Sequence, residues 1–130
     1  MRDFFKQHAD QGFFLKCDVR KYFDTIDHFV LKKKLLKIFN TGDIFTLLCR
    51  IIDSYELTPG KGLPLGNQAS QWFALLYLDE VDRLIKEKLR IKHYVRYMDD
   101  FVLLHHSKEY LQPKLPVNLT RPAKIVAKSP

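Results

Sequence analysis

The sequence predicts an α+β fold, an antiparallel sheet with helices packed on one face. Three observations predict it. Residues 12–19, Gly-Phe-Phe-Leu-Lys-Cys-Asp-Val, alternate in side-chain character, as a strand with one buried face does. Three later stretches carry apolar residues at helical spacing. Finally, two apolar runs, 91–97 and 101–104, flank the pair Asp99-Asp100, as two strands flank a tight turn. Strands separated by helices and closed by a hairpin give a sheet covered on one side.

A polar helix or turn is expected at residues 2–9. In the strand at 13–19, Phe13, Leu15, Cys17 and Val19 share one face, and Phe14, Lys16 and Asp18 share the other. Asp18 therefore stands at the strand's end, opposite the most apolar face. Asp27 caps a helix over 28–39 that runs through Phe29, Leu31, Leu35, Ile38 and Phe39, and Gly42 ends it. A second helix over 43–55 has Ile44, Leu47, Leu48, Ile51 and Ile52 at amphipathic spacing. A loop holding Pro59, Gly60, Gly62, Pro64 and Gly66 feeds a long helix over 67–89, with Trp72, Leu76, Val81, Leu84, Ile85 and Leu89 as its core stripe. Residues 1–111 are expected to form one domain. Residues 112–130, with Pro113, Pro116 and Pro122, are expected to form an irregular, flexible tail.

The chemistry gathers at the carboxylates. Asp99 and Asp100 put two negative charges beside bulky apolar neighbours, which is costly unless something positive sits on them. Mg²⁺ is the natural candidate, because it binds through carboxylates plus substrate phosphates. Alone, such a pair reads first as a solvated turn, and Asp18 alone reads as a turn cap. In the Gly/Pro loop, glycine lets backbone approach a ligand closely, and the following helix N-terminus favours phosphate. The loop is not a P-loop, since Gly-Lys-Ser/Thr is missing at the required spacing. Asp24, Asp27 and His28 read as a turn and helix start. His93, His105 and His106 lack metal-ligand spacing.

With 130 residues, 46% of them apolar, the chain can bury one core. Its net charge of +7 suits a polyanionic partner. The cations gather at Arg20-Lys21, Lys32-Lys33-Lys34-Lys37 and from Arg83 to Arg96. For the lysines at 32–37 a solvated helix face explains the pattern equally well. Cys17 and Cys49 belong to no zinc pattern and fit reduced thiols in a cytoplasmic protein. Neither a signal peptide nor a membrane span is expected.

Three segments, in this order, carry a family resemblance: Cys17-Asp18-Val19-Arg20-Lys21-Tyr22-Phe23, Gly62-Leu63-Pro64-Leu65-Gly66-Asn67-Gln68-Ala69-Ser70-Gln71, and Tyr97-Met98-Asp99-Asp100. Together they resemble the palm of reverse transcriptases: the first aspartate motif, the nucleotide-pocket loop and the double-aspartate hairpin. The resemblance covers residues 12–106. Leu65, where that family commonly has glutamine, and the ending Ser70-Gln71 are most similar to enzymes of diversity-generating retroelements, with group II intron-like and retron enzymes as relatives.

The resemblance implies RNA-directed DNA polymerase chemistry with Asp18, Asp99 and Asp100 as catalytic residues. Asp18, Val19 (through its carbonyl), Asp99 and Asp100 would hold two Mg²⁺ ions, for which Mn²⁺ can substitute. Phe23, Pro64, Leu65, Gly66, Ser70 and Gln71 would form the nucleotide pocket. Phe23 would block a ribose 2′-hydroxyl and so select dNTP. Tyr97 and Met98 would floor the site beneath the primer end. Template RNA, DNA primer and dNTP are the implied partners, with an accessory retroelement protein or the missing polymerase segments, and no membrane. The family's fingers and thumb are not recognised here, so a palm fragment is expected. Three functions stay open: an impaired polymerase palm, a non-catalytic basic module binding RNA or protein, and one part of a split polymerase.

Overall fold

The computed structural model describes residues 13–111 and, for residues 125–127, the backbone. The expected helix at 2–9 lies outside the described residues, as does the tail at 112–124 and 128–130. The chain divides into two compact units: Lys21–Glu80, and Met1–Arg20 together with Val81–Pro130.

The discontinuous unit is built on a four-stranded sheet of order β2-β3-β1-β4. Its strands are β1 (Phe13–Asp18), β2 (His93–Tyr97), β3 (Asp100–His105) and β4 (Ile125–Ala127). All pairings are antiparallel, as the α+β expectation requires. β4 lies on the outer edge, within the stretch expected to be irregular. In β1, Leu15 and Cys17 are buried while Lys16 is exposed, which follows the alternation in sequence. Cys17 faces Phe101 and Leu15 faces Leu103 across the β1–β3 ladder. Phe101 and Leu103 are each 1% exposed. Burying a side chain of this size contributes about 1.5–3 kcal/mol, so this pairing anchors the unit's core. Burial also pushes the Cys17 thiol up to about 11, which leaves it inert.

The long helix expected over 67–89 is not continuous. It forms as α4 (Gln68–Tyr77) and α5 (Asp79–Arg83), followed by a π-helical turn (Leu84–Lys88). The π turn is closed by the Leu89 amide donating to the Leu84 carbonyl at 2.9 Å. The extra residue keeps Ile85 fully buried while Lys86, Glu87 and Lys88 face water. The expected core stripe also shifts: Trp72 is 67% exposed, and Phe73, Ala74 and Leu78 are buried instead.

Three groups bind this helical segment to β2. Asp82 accepts from Arg96 Nε at 2.8 Å and from Arg96 Nη2 at 2.5 Å, and also from the Tyr94 hydroxyl. A short helix, α6 (Lys108–Leu111), adds a stacked contact between Tyr110 and His105. The Tyr110 hydroxyl donates to the Leu89 carbonyl at 2.6 Å.

In the unit Lys21–Glu80, α1 (Tyr22–Thr25), α2 (His28–Phe39) and α3 (Asp43–Asp53) precede α4. Asp27 caps α2 as expected, accepting from the Val30 amide at 3.1 Å, a contact worth ~1 kcal/mol. Asn40, at φ 53°, ends the helix. Gly42 does not: it precedes α3 as its N-cap. The inward stripe of α2 is His28, Leu31 and Leu35, while Phe29, Ile38 and Phe39 face outward. α3 stops at Asp53, short of the expected 55, where the Ser54 hydroxyl takes the Ile51 carbonyl. Only Ile52 of its apolar stripe is fully buried. Two of the α2 lysines are paired, Lys32 with Asp53 at 2.6 Å and Lys34 with Glu80 at 2.8 Å. Such surface pairs contribute about 0–1 kcal/mol.

The glycine loop is zipped onto the start of α2. Gly62 donates to Ile26 and Leu63 to Phe23, each at 2.9 Å, and the His28 amide donates to Gly60 at 2.9 Å. The buried His28 ring lies 2.7 Å from the Gly62 carbonyl through Nε2, in line with a structural role. Among the described residues, no helix is long and apolar enough to cross a membrane.

Two stability outcomes are expected. Gly62 holds φ +107°, and a Cβ there would meet Leu57 Cβ and N at 3.1 Å. Gly62→Ala should therefore destabilise the chain by roughly 1–3 kcal/mol, read from denaturant midpoints. Burial raises the Asp82 carboxyl, but the hydrogen bonds and charge of Arg96 and the Tyr94 hydroxyl outweigh it, leaving it below its ordinary range. A depressed carboxyl contributes stability that is present above the unfolded value of about 4 and lost as pH falls through the folded one. The acid-unfolding curve of Asp82→Asn should lack that part of the pH dependence.

Candidate active site

The β2–β3 hairpin places the paired aspartates. Tyr97 and Asp100 close it in register, leaving Met98-Asp99 as a two-residue loop. Hairpins this tight need positive φ in the loop to match strand twist, and Met98 supplies it at φ 55°. For a residue with a Cβ this strain costs ~1–2 kcal/mol. Arg96 Nη1 donates to the Met98 carbonyl at 2.9 Å. A hydrogen bond from a charged donor contributes ~1.5–3 kcal/mol, enough to offset the strain.

Register then brings the third carboxylate in. Asp18 is the Cα partner of Asp100 across β1–β3, and Asp100 is the partner of Tyr97 across β2–β3. These three side chains share one face. Cys17, Phe101 and Arg96 share the other. Tyr97 is 81% exposed and the Asp100 side chain 51%, so the carboxylate face is open. Asp99 sits in the turn, and its carbonyl accepts from the buried Val19 amide at 3.4 Å. Like charges directly opposite on a sheet are unfavourable. The described cation beside them is Lys16, with Nζ 3.6 Å from Asp100 Oδ1. Lys16 shares the strand face of Asp18, as the alternation in sequence predicts.

The pocket candidates all belong to Lys21–Glu80. Phe23 is half-buried and packs edge-on against Tyr22, with ring centroids 5.7 Å apart. Its carbonyl holds the Leu63 amide, so Phe23 is tied directly to the loop that precedes Pro64. Pro64 is half-buried, Leu65 is 75% exposed, and Gly66 turns the chain at φ 82°. Asn67 caps α4 by accepting from the Ala69 amide at 2.9 Å. Ser70 is 2% exposed, and Gln71 faces outward.

The donor chemistry fits magnesium. Asp18 and Asp100 are hard oxygen donors facing each other on an open surface, with Asp99 adjoining. Mg²⁺ typically takes one or two protein carboxylates, with water and phosphate completing its shell. Among the described residues, no group of three or more His, Cys, Asp or Glu side chains converges to hold a metal ion. The carboxylates thus form an open pair with a neighbour and not a closed cage.

Sequence reasoning counts Arg96 among the cations facing a polyanion. The structure corrects this: its side chain is 12% exposed and committed to Asp82 and Met98. Its signal lies in strand parity, since Arg96 and Tyr94 share the buried side of β2 and need a partner there.

A family model described as reverse transcriptase (RNA-dependent DNA polymerase) matches residues 2–125. Among solved structures, apo telomerase from Candida tropicalis, truncated from its C-terminal domain, is similar with a TM-score of 0.61 at 19% identity. The match covers 85% of this chain and 27% of that one. A telomerase from Candida albicans in complex with a fragment of telomeric RNA gives 0.55 at 16% identity, covering 84% and 25%. This chain thus spans about a quarter of the length of those proteins, and the likeness is one of fold. No curated protein matches it in sequence. A match running over nearly the whole chain, on the sheet that sets Asp18 against the Met98-Asp99 turn, makes this chain a member of the reverse transcriptase (RNA-dependent DNA polymerase) family.

Proposed function

We propose that this chain supplies the catalytic palm of an RNA-directed DNA polymerase that adds dNTP to a DNA primer on an RNA template. One observation carries this: the antiparallel register that sets Asp18 opposite Asp100 beside the Asp99 turn, on the open face of the sheet. Asp18, Asp99 and Asp100, with the Val19 carbonyl, would hold two Mg²⁺ ions. When bound, such ions activate the primer hydroxyl and stabilise the leaving oxygen in an in-line displacement. The rest falls to the chain's own residues. The aspartates supply negative charge and leave the open side for phosphate and water. Tyr97 and Met98 support the primer end.

Phe23 acts as the gate against a 2′-hydroxyl, and its hydrogen bond to Leu63 links it to the nucleotide loop. Pro64, Leu65, Gly66, Ser70 and Gln71 complete that pocket. Leu65 cannot hydrogen-bond an incoming nucleotide as glutamine would, which supports an error-prone enzyme of a diversity-generating retroelement. An RNA partner is also supported by the related telomerase bound to a telomeric RNA fragment and by the net charge of +7.

Primer extension on an RNA template with Mg²⁺ and dNTPs tests the assignment. Asp18→Asn and Asp99→Asn are each expected to reduce extension to background, and extension that survives either change removes the metal assignment. Phe23→Ala is expected to raise rNTP use relative to dNTP on the order of 10–200-fold, the range for one lost pocket contact. Leu65→Gln should lower misincorporation opposite adenine; an unchanged error rate would sink the retroelement assignment.

A further inference from the structure

We propose that Arg96 is the positioning residue of the aspartate turn, aimed at it by Asp82 and Tyr94. Its catalytic consequence rests on Asp18 and Asp99 being the reacting carboxylates, as proposed above. Arg96 lies on the sheet face of Cys17 and Phe101, opposite Asp18 and Asp100, and is nearly buried. It therefore acts through the backbone and not on substrate.

Three directed N–H groups of one rigid plane are in use. Nε and Nη2 grip the two oxygens of Asp82 at 2.8 and 2.5 Å, and Nη1 reaches the Met98 carbonyl at 2.9 Å. The two-pronged carboxylate grip fixes the guanidinium plane, and the Tyr94 hydroxyl fixes the same carboxylate. The third prong is thus aimed before it meets the turn.

The Met98 carbonyl belongs to the planar peptide joining Met98 to Asp99. Holding that oxygen orients the peptide on the N-terminal side of Asp99. The peptide on its C-terminal side is held too, because the Asp99 carbonyl accepts from the Val19 amide at 3.4 Å. Asp99 is therefore tied on both sides, once to the helix through Arg96 and once to Val19, the residue that follows β1. With both peptide planes fixed, so are its backbone angles and the direction in which its Cα–Cβ bond leaves the turn. An ammonium cannot reproduce this, because it lacks the planar fork.

The test compares the full chain with its Arg96→Lys and Tyr94→Phe variants. Lysine keeps the positive charge beside Asp82, and phenylalanine removes a single hydroxyl, so one of the two should retain the fold. Backbone amide order parameters from ¹⁵N relaxation give a readout that does not depend on activity. In the wild type, the amides of Asp99 and Asp100 should be rigid, near 0.85. In Arg96→Lys they should fall toward about 0.6, while those of Leu15 and Leu103 stay unchanged. Tyr94→Phe should show a smaller fall at the same amides. In primer extension, Arg96→Lys should lower kcat at least tenfold with the KM for dNTP within about twofold. Turn amides as rigid in Arg96→Lys as in the wild type would overturn the proposal. A loosened turn with unchanged kcat would overturn its catalytic consequence. A loosened turn in a chain whose Mn²⁺ binding ignores Asp18→Asn would support the positioning role and count against the metal assignment instead.

Discussion

The register between β1 and β3 is the constraint on which the site depends. It is fixed by burial: Leu15 and Cys17 must face Leu103 and Phe101 to exclude water from them. Side chains alternate along a strand, so a one-residue slip would turn that apolar set outward and the carboxylates inward. The same pairing that buries Cys17 against Phe101 sets Asp18 against Asp100 one residue later. Core formation and site formation are therefore one event.

The two faces of this sheet divide the electrostatics. On the open face Asp18 and Asp100 stand opposite each other with Lys16 close by. On the covered face Asp82, Tyr94 and Arg96 satisfy one another. Removing one partner of such a half-buried set leaves the others without their hydrogen bonds, at a cost. Arg96 Nη1 connects this network to the turn between the two strands at the Met98 carbonyl. A strained turn persists when its surroundings over-determine it, and Met98 meets that condition.

In Lys21–Glu80 backbone pairing has the comparable role. The loop residues Gly60, Gly62 and Leu63 are held by hydrogen bonds to His28, Ile26 and Phe23. Gly62 is tightly enclosed by Leu57, while Gly66 has open space around it and is needed only for its backbone angle. The exposed Leu65 thus rides on a loop whose base is fixed.

The sequence by itself determined whatever local chemistry controls. Alternation gave β1, Asp27 gave the start of α2, and the paired aspartates between apolar runs gave the hairpin and its carboxylates. The order of three motifs gave the family. Tertiary structure decided what depends on partners distant in the chain. The π turn at 84–88, the outward Trp72 and the inward Ala74 follow from which helix face the core accepts, and helical spacing alone leaves that rotation free. Arg96 looked like one more surface cation because its partner, Asp82, lies fourteen residues away on a helix. Charge can be counted from a sequence, but whether that charge faces water or a half-buried carboxylate is settled only when the strand and the helix meet.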